Sequence, residues 1–201
     1  QHAPNGEYTP ERKALHDKIV NQYLAGAKAS DSPQLVLTGG LPGSGKSSIK
    51  KRENLTDHVS VDSDEVKALL PEYEGWNAAL LQDEATDIVG RIADGATTKK
   101  TNIVLDATMK SFDQYAALIK QFKGKGYRVK ILFADLPMGK AVTRAISRYK
   151  SKGRFVDPVY IATHDSRNIQ SFHRLKGLAD SYKRYNTDVP VGSAPILEEQ
   201  L

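Results

Sequence analysis

An apolar run at residues 35–37 leads into Gly40-Leu41-Pro42-Gly43-Ser44-Gly45-Lys46-Ser47, and residues 47–52 can continue as a helix. A glycine, four spacers and Gly-Lys-Ser set between a strand and a helix is the P-loop pattern, and that setting constrains the fold more than the letters alone. The glycines let the backbone curl so that several N–H groups face one phosphate chain. The helix start adds the positive end of its dipole. Gly40, Gly43, Ser44, Gly45, Lys46, Ser47 and Ser48 are therefore candidate nucleotide-binding residues. Lys46 would reach the β/γ-phosphates and the Ser47 hydroxyl would ligate Mg²⁺. A nucleoside triphosphate is the expected ligand.

The rest of the chain alternates strand and helix signals. Thr9-Pro10-Glu11 reads as a helix start, with Thr as the cap and Pro in the first turn, and Leu15, Ile19, Tyr23 and Leu24 follow at helical spacing. Strands are expected at residues 35–38, 58–61, 103–105 and 129–134, with a weak fifth near Tyr185. Helices are expected near 63–70, 76–98, 111–123, 137–150 and 158–182. Strands separated by helices imply a parallel sheet with right-handed crossovers. The expected architecture is α/β: a three-layer P-loop NTPase/kinase fold around a central, mainly parallel sheet of about five strands. Residues 1–31 read as an N-terminal helical extension that either packs on the domain or mimics a bound partner. Residues 32–189 read as the kinase domain, and 190–201 as an extended, loosely held tail.

Ligands of such sheets bind beyond the carboxyl ends of the strands. Asp62 and Asp64 follow the second strand, and Asp106 and Thr108 follow the third. One aspartate of the first pair would position an acceptor hydroxyl against the γ-phosphate, although either also suits a helix cap. Asp106 ends an apolar strand as a Walker-B acid does, so it would hold Mg²⁺; alternatively, Asp106 and Thr108 would bind acceptor hydroxyls. Arg144 and Arg148 share a helix face, and Arg154 follows in a loop, an arrangement suited to a lid that neutralises phosphoryl charge.

Composition narrows the partners. At 201 residues the chain suits one well-buried domain, and its net charge of +5 suits an anionic substrate. Having no cysteine, it excludes disulfides and thiolate chemistry and suits a reducing cytoplasm. No run is long and apolar enough for a membrane span. The aromatics are not interleaved with a basic stripe, so nucleic acid is not the expected partner. The lone Trp76 reads as core packing. The chain begins with Gln1, which fits a processed or excised piece of a longer protein.

Several segments together resemble the zeta-toxin family of P-loop kinases. They are Gly-Gly-Leu-Pro-Gly-Ser-Gly-Lys-Ser at 39–47, Val-Asp-Ser-Asp-Glu-Val-Lys at 61–67 and Leu-Leu-Pro-Glu-Tyr at 69–73, then Val-Leu-Asp-Ala-Thr at 104–108, Gly-Tyr at 126–127, Arg-Tyr at 148–149 and Gly-Arg at 153–154. The resemblance implies that Lys46 binds nucleotide phosphates and Asp64 is the catalytic base. It implies that Asp106 and Thr108 contact the acceptor and that Arg148 and Arg154 stabilise the transition state. Two positions depart from the pattern: Asp106 stands where the family has Glu, and the second arginine follows the first more closely. Family resemblance also implies ATP and Mg²⁺ as cofactors, a sugar-nucleotide acceptor such as UDP-N-acetylglucosamine, and an antitoxin partner or further domains of a parent chain. The competing expectations are a nucleoside or polynucleotide 5′-hydroxyl kinase and a non-catalytic ATP-binding interaction module.

Overall fold

The computed structural model describes residues 7–153, 155–190 and 192–201. Helix α1 (Pro10–Leu24) precedes strand β1 (Gln34–Gly39), helix α2 (Lys46–Arg52), strand β2 (Val59–Val61) and the short helix α3 (Ser63–Lys67). Helix α4 (Gln82–Thr98), strand β3 (Ile103–Asp106), helix α5 (Phe112–Gly124) and strand β4 (Arg128–Asp135) follow. The chain continues through α6 (Met138–Lys152), α7 (Pro158–Leu175), β5 (Ser181–Asn186) and β6 (Ile196–Gln200). The strands form one sheet in the order β2-β3-β1-β4-β5-β6, parallel except for the β5–β6 pair.

Central strands buried on both faces read as near-continuous apolar runs, and the side chains sort by alternation. Leu35, Leu37, Ile103, Val129, Ile131 and Phe133 share one cluster with Ile19 of α1, Ile88 and Ile92 of α4, Phe122 of α5 and Phe172 of α7. Their neighbours Val36, Val104, Leu132 and Ala134 meet Ile49 of α2 and Tyr185 of β5 on the other face. Helices α1, α4, α5 and α7, with Val66 of the short α3, thus cover one face and the P-loop helix covers the other, giving three layers. Helix α6 packs in a separate cluster, where Leu41 and Leu136 meet Ala141, Ala145 and Ile161. That cluster lies beyond the carboxyl ends of β1 and β4.

Several boundaries differ from the sequence expectation. The tail adds β6, whose residues pair antiparallel with β5, so it is anchored by a ladder. Strand β5 is a full six residues. Helix α4 starts at Gln82, because residues 71–81 form turns around Gly75, and α7 stops at Leu175. Trp76 sits on those turns and is 67% exposed, which overturns its assignment to the core. Helix α1 packs on the domain: Ile19 and Leu24 belong to the main core.

Candidate active site

The register places the loops that follow three adjacent strands side by side. Thr38 of β1 pairs with Asp106 of β3, and Val61 of β2 pairs with Leu105. The P-loop, Asp106 and the Asp62–Asp64 turn therefore line up along one edge of the sheet. Lys46 Nζ donates to the carbonyls of Gly40 (3.2 Å) and Leu41 (3.3 Å) across the P-loop and stands 3.7 Å from Asp106 Oδ1. Lys50, one turn further along α2, holds Asp106 Oδ2 at 3.1 Å. Lys50 was not among the expected site residues; its i,i+4 spacing from Lys46 was the available signal.

The P-loop is closed from above by α6. Gly43 has φ +84°, and a Cβ there would lie 2.5 Å from the Ala141 carbonyl oxygen, so only glycine fits. Arg144 reaches Gly45 and donates to the carbonyls of Thr187 (3.0 Å) and Val189 (3.4 Å). It thereby ties α6 to the loop after β5. Arg148 follows one turn later. Its Nε and Nη2 are buried and have no hydrogen-bond partner among the described residues. The P-loop Ser44 hydroxyl is likewise buried without one. The helix ends at Gly153, whose carbonyl would lie 2.6 Å from a Cβ on Gly75. Arg154 lies outside the described residues.

Beyond β2, Asp62 caps α3, its Oδ1 accepting from the Asp64 N–H at 2.9 Å. The Lys67 ammonium donates to Asp64 Oδ1 (3.1 Å) and to Gln82 Oε1 (2.6 Å). Burial pulls the Lys67 ammonium below the usual lysine range, and the charges of Asp62 and Tyr160 pull the other way. Burial pushes the Glu65 carboxyl up, and Asp62 and Asp106 add to that while Lys50 opposes it. Acids thus crowd the strand ends, balanced by Lys46, Lys50 and Lys67. Thr108 is tied to the Tyr115 phenol, which burial raises above its ordinary value. Tyr160 stacks on His164 (4.2 Å between centroids) with Lys110 Nζ 5.3 Å from its ring.

The turns between α3 and α4 are held from α1. Arg12, only 6% exposed, donates to both Glu72 oxygens (2.8 and 2.9 Å) and to both Glu84 oxygens (2.5 and 2.9 Å). His16 Nε2 lies 2.5 Å from Glu84. Burial would raise the Glu84 carboxyl, but the bonds from Arg12 and His16 prevail and hold it at about 2. Sequence separations of about seventy residues left no local signal for this cluster.

Comparison with known proteins places this geometry. The family model for the zeta toxin matches residues 20–186. The chain belongs to the zeta toxin family. It is 24% identical over 196 residues to the Toxin zeta of Streptococcus pyogenes, covering 87% of this chain and 67% of that protein. It is 27% identical over 143 residues to Toxin PezT of Streptococcus pneumoniae serotype 4, covering 65% and 56%. The chain thus spans about two thirds or less of the length of these curated relatives. A solved structure from the PezAT chromosomal toxin–antitoxin system of Streptococcus pneumoniae superposes with a TM-score of 0.74 at 21% identity, covering 90% of this chain and 79% of that one. The AvrRxo1-ORF1:-ORF2 structure with ATP gives 0.77 at 16% identity, covering 98% and 69%. These two likenesses establish the fold. By family the chain is a phosphotransferase. No described helix is long and apolar enough to cross a membrane.

Proposed function

We propose that this protein transfers the γ-phosphoryl group of ATP to a hydroxyl of a sugar nucleotide such as UDP-N-acetylglucosamine. The observation that carries the phosphoryl-transfer part is Arg148: a half-buried side chain whose Nε and Nη2 are buried and unpartnered among the described residues, one turn beyond the Arg144 that reaches the P-loop. Guanidinium nitrogens buried without a partner are costly, so such a site suits an anion. A transferring phosphoryl group, with charge on its equatorial oxygens, meets that need.

In this reading the P-loop amides and Lys46 hold the β- and γ-phosphates. Gly40, Gly43, Ser44, Gly45, Ser47 and Ser48 form the cradle. The oxygen-only set of Ser47 and Asp106 fits Mg²⁺, a hard cation that prefers such ligands and shares them with phosphates and water. When bound, the ion would neutralise phosphate charge. Asp64 orients the acceptor hydroxyl and takes its proton. The new bond joins that oxygen to the γ-phosphorus. The bond to the β,γ-bridging oxygen breaks, and its electron pair leaves with ADP. Asp62 and Thr108 are assigned to acceptor binding, and Arg148 and Arg154 to transition-state charge. The sugar-nucleotide acceptor and a neutralising antitoxin-like partner rest on the family relation alone.

The test is transfer from γ-labelled ATP with Mg²⁺ to UDP-N-acetylglucosamine, other sugar nucleotides, nucleosides and 5′-hydroxyl oligonucleotides. Wild type is expected to label a sugar nucleotide. Asp64→Asn should lose about 10²–10⁴ in kcat while still binding ATP, and Lys46→Met should lose ATP binding as well. Label on a 5′-hydroxyl end alone would replace the acceptor; wild-type transfer by Asp64→Asn would remove the base.

A further inference from the structure

The relay between α3 and α4 carries an inference that rests on the reading of Asp64 as base. We propose that Lys67, braced by Gln82, is a positioning residue that fixes the Asp64 carboxylate for phosphoryl transfer. Lys67 is 5% exposed, an unusual place for an ammonium, which is almost never buried unless paired. An ordinary i,i+3 helix pair contributes only a few tenths of a kcal/mol at the surface and needs no burial. Here the ammonium is instead set between two elements. It donates to Asp64 Oδ1 at 3.1 Å and to Gln82 Oε1 at 2.6 Å. Gln82 is itself oriented: its Nε2 donates to Thr86 Oγ1 (3.1 Å), and that hydroxyl donates to the Gln82 carbonyl (2.8 Å). The amide oxygen is thereby turned toward Lys67. A hydrogen-bonded chain runs from Thr86 through Gln82 and Lys67 to Asp64, so the second turn of α4 sets the side chain on α3.

The chemistry gives this chain a purpose. A base displaced by about 1 Å can lose on the order of 10²-fold in rate. α3 is a five-residue helix, and its own packing is a weak constraint on an Asp side chain. A long ammonium stem anchored on α4 supplies a second point of attachment. It also places a positive charge beside the carboxylate, favouring the ionised form. The charged and titratable groups that act on Lys67 are Asp64 and Asp62 from its own turn and Tyr160 from α7.

Lys67→Met, Lys67→Arg and Gln82→Leu would be compared with wild type and Asp64→Asn in the same transfer assay, with ATP affinity and melting temperature measured for each. Lys67→Met should lower kcat about 10–100-fold, with the affinity for ATP unchanged within about twofold. Its acid limb of kcat/KM should move to higher pH, because the neighbouring positive charge is gone. Lys67→Arg should recover much of the loss. Gln82→Leu should show a smaller kcat defect in the same direction, and it decides the matter if Lys67→Met fails to fold. The proposal is overturned if Lys67→Met and Gln82→Leu keep wild-type kcat and pH profile while Asp64→Asn is inactive. It is equally overturned if kcat, ATP affinity and melting temperature fall together in both variants, the mark of a packing role. Wild-type transfer by Asp64→Asn would overturn the base assignment and this inference with it.

Discussion

Arg148 gives the residue scale its sharpest expectation. Two guanidinium nitrogens buried without a partner among the described residues cost the ligand-free protein stability, whatever they do in the reaction. Arg148→Met, which keeps the stem, should raise the ligand-free stability by about 0.5–2 kcal/mol, or roughly 1–8 °C in melting temperature. The same change should sharply lower phosphoryl transfer and shrink the stabilisation gained on adding ATP. Differential scanning fluorimetry with and without nucleotide checks both; a lower ligand-free melting temperature would mean that the guanidinium is satisfied in the free protein. The sequence named this arginine through its helix spacing and its family-like setting. It gave no hint that these nitrogens have no partner among the described residues, because that depends on how α6 crosses the P-loop. Lys46 was legible for the opposite reason: the P-loop carbonyls it meets, those of Gly40 and Leu41, lie within six residues of it in the chain.

At the scale of elements, α1 is a brace for the turns between α3 and α4. Its start was readable, since Thr9 accepts from the Arg12 N–H at 3.3 Å and Pro10 opens the helix. Its docking was not, since Arg12 meets acids 60 and 72 positions away. Removing one member of a buried ion cluster leaves the others uncompensated. Glu72 is 42% exposed, which discounts its share, so Arg12→Met should cost about 2–3 kcal/mol. Melting temperature should fall by about 4–12 °C. The acid response follows from Glu84, whose carboxyl is held at about 2 against an ordinary 4.5. A depressed carboxylate contributes stability that is present above its unfolded value and lost as pH falls through the folded one. Wild type should therefore lose stability between about pH 4.5 and 2, and Arg12→Met should lose less over that window. Thermal melts across the range distinguish the two slopes; parallel slopes would detach Glu84 from acid stability. The late start of α4 has a related origin: apolar spacing continues through residues 76–81, but Gly75 and the bond from the Asn77 side chain to the Glu72 carbonyl (2.7 Å) hold turns there.

For the whole molecule, the parallel sheet was legible because four apolar runs alternate with helical stretches. The sixth strand was not, because Ile196–Gln200 reads Ile-Leu-Glu-Glu-Gln, with neither an apolar run nor an alternation, and stands at an edge. Its anchors are side chains as well as backbone: Glu199 accepts from Tyr182 (2.9 Å) and pairs with Lys176. Glu198 accepts from Asn186 at 3.1 Å. Deleting residues 196–201 should uncover the edge of β5 and produce concentration-dependent association on size-exclusion chromatography. ATP affinity should remain within about twofold, because β6 lies at the far end of the sheet from the P-loop strand. A monomeric truncated protein would show that another device guards that edge. Helix α6 carries a different consequence. Its first turns rest on Gly43 and Gly45, and Gly153, which caps its end, abuts Gly75, so it is held at both banks of the crevice. A span held at two ends resists lifting like a hatch. On the proposed reaction, an acceptor would then enter from the side, where the turns next to the exposed Trp76 meet the end of α6.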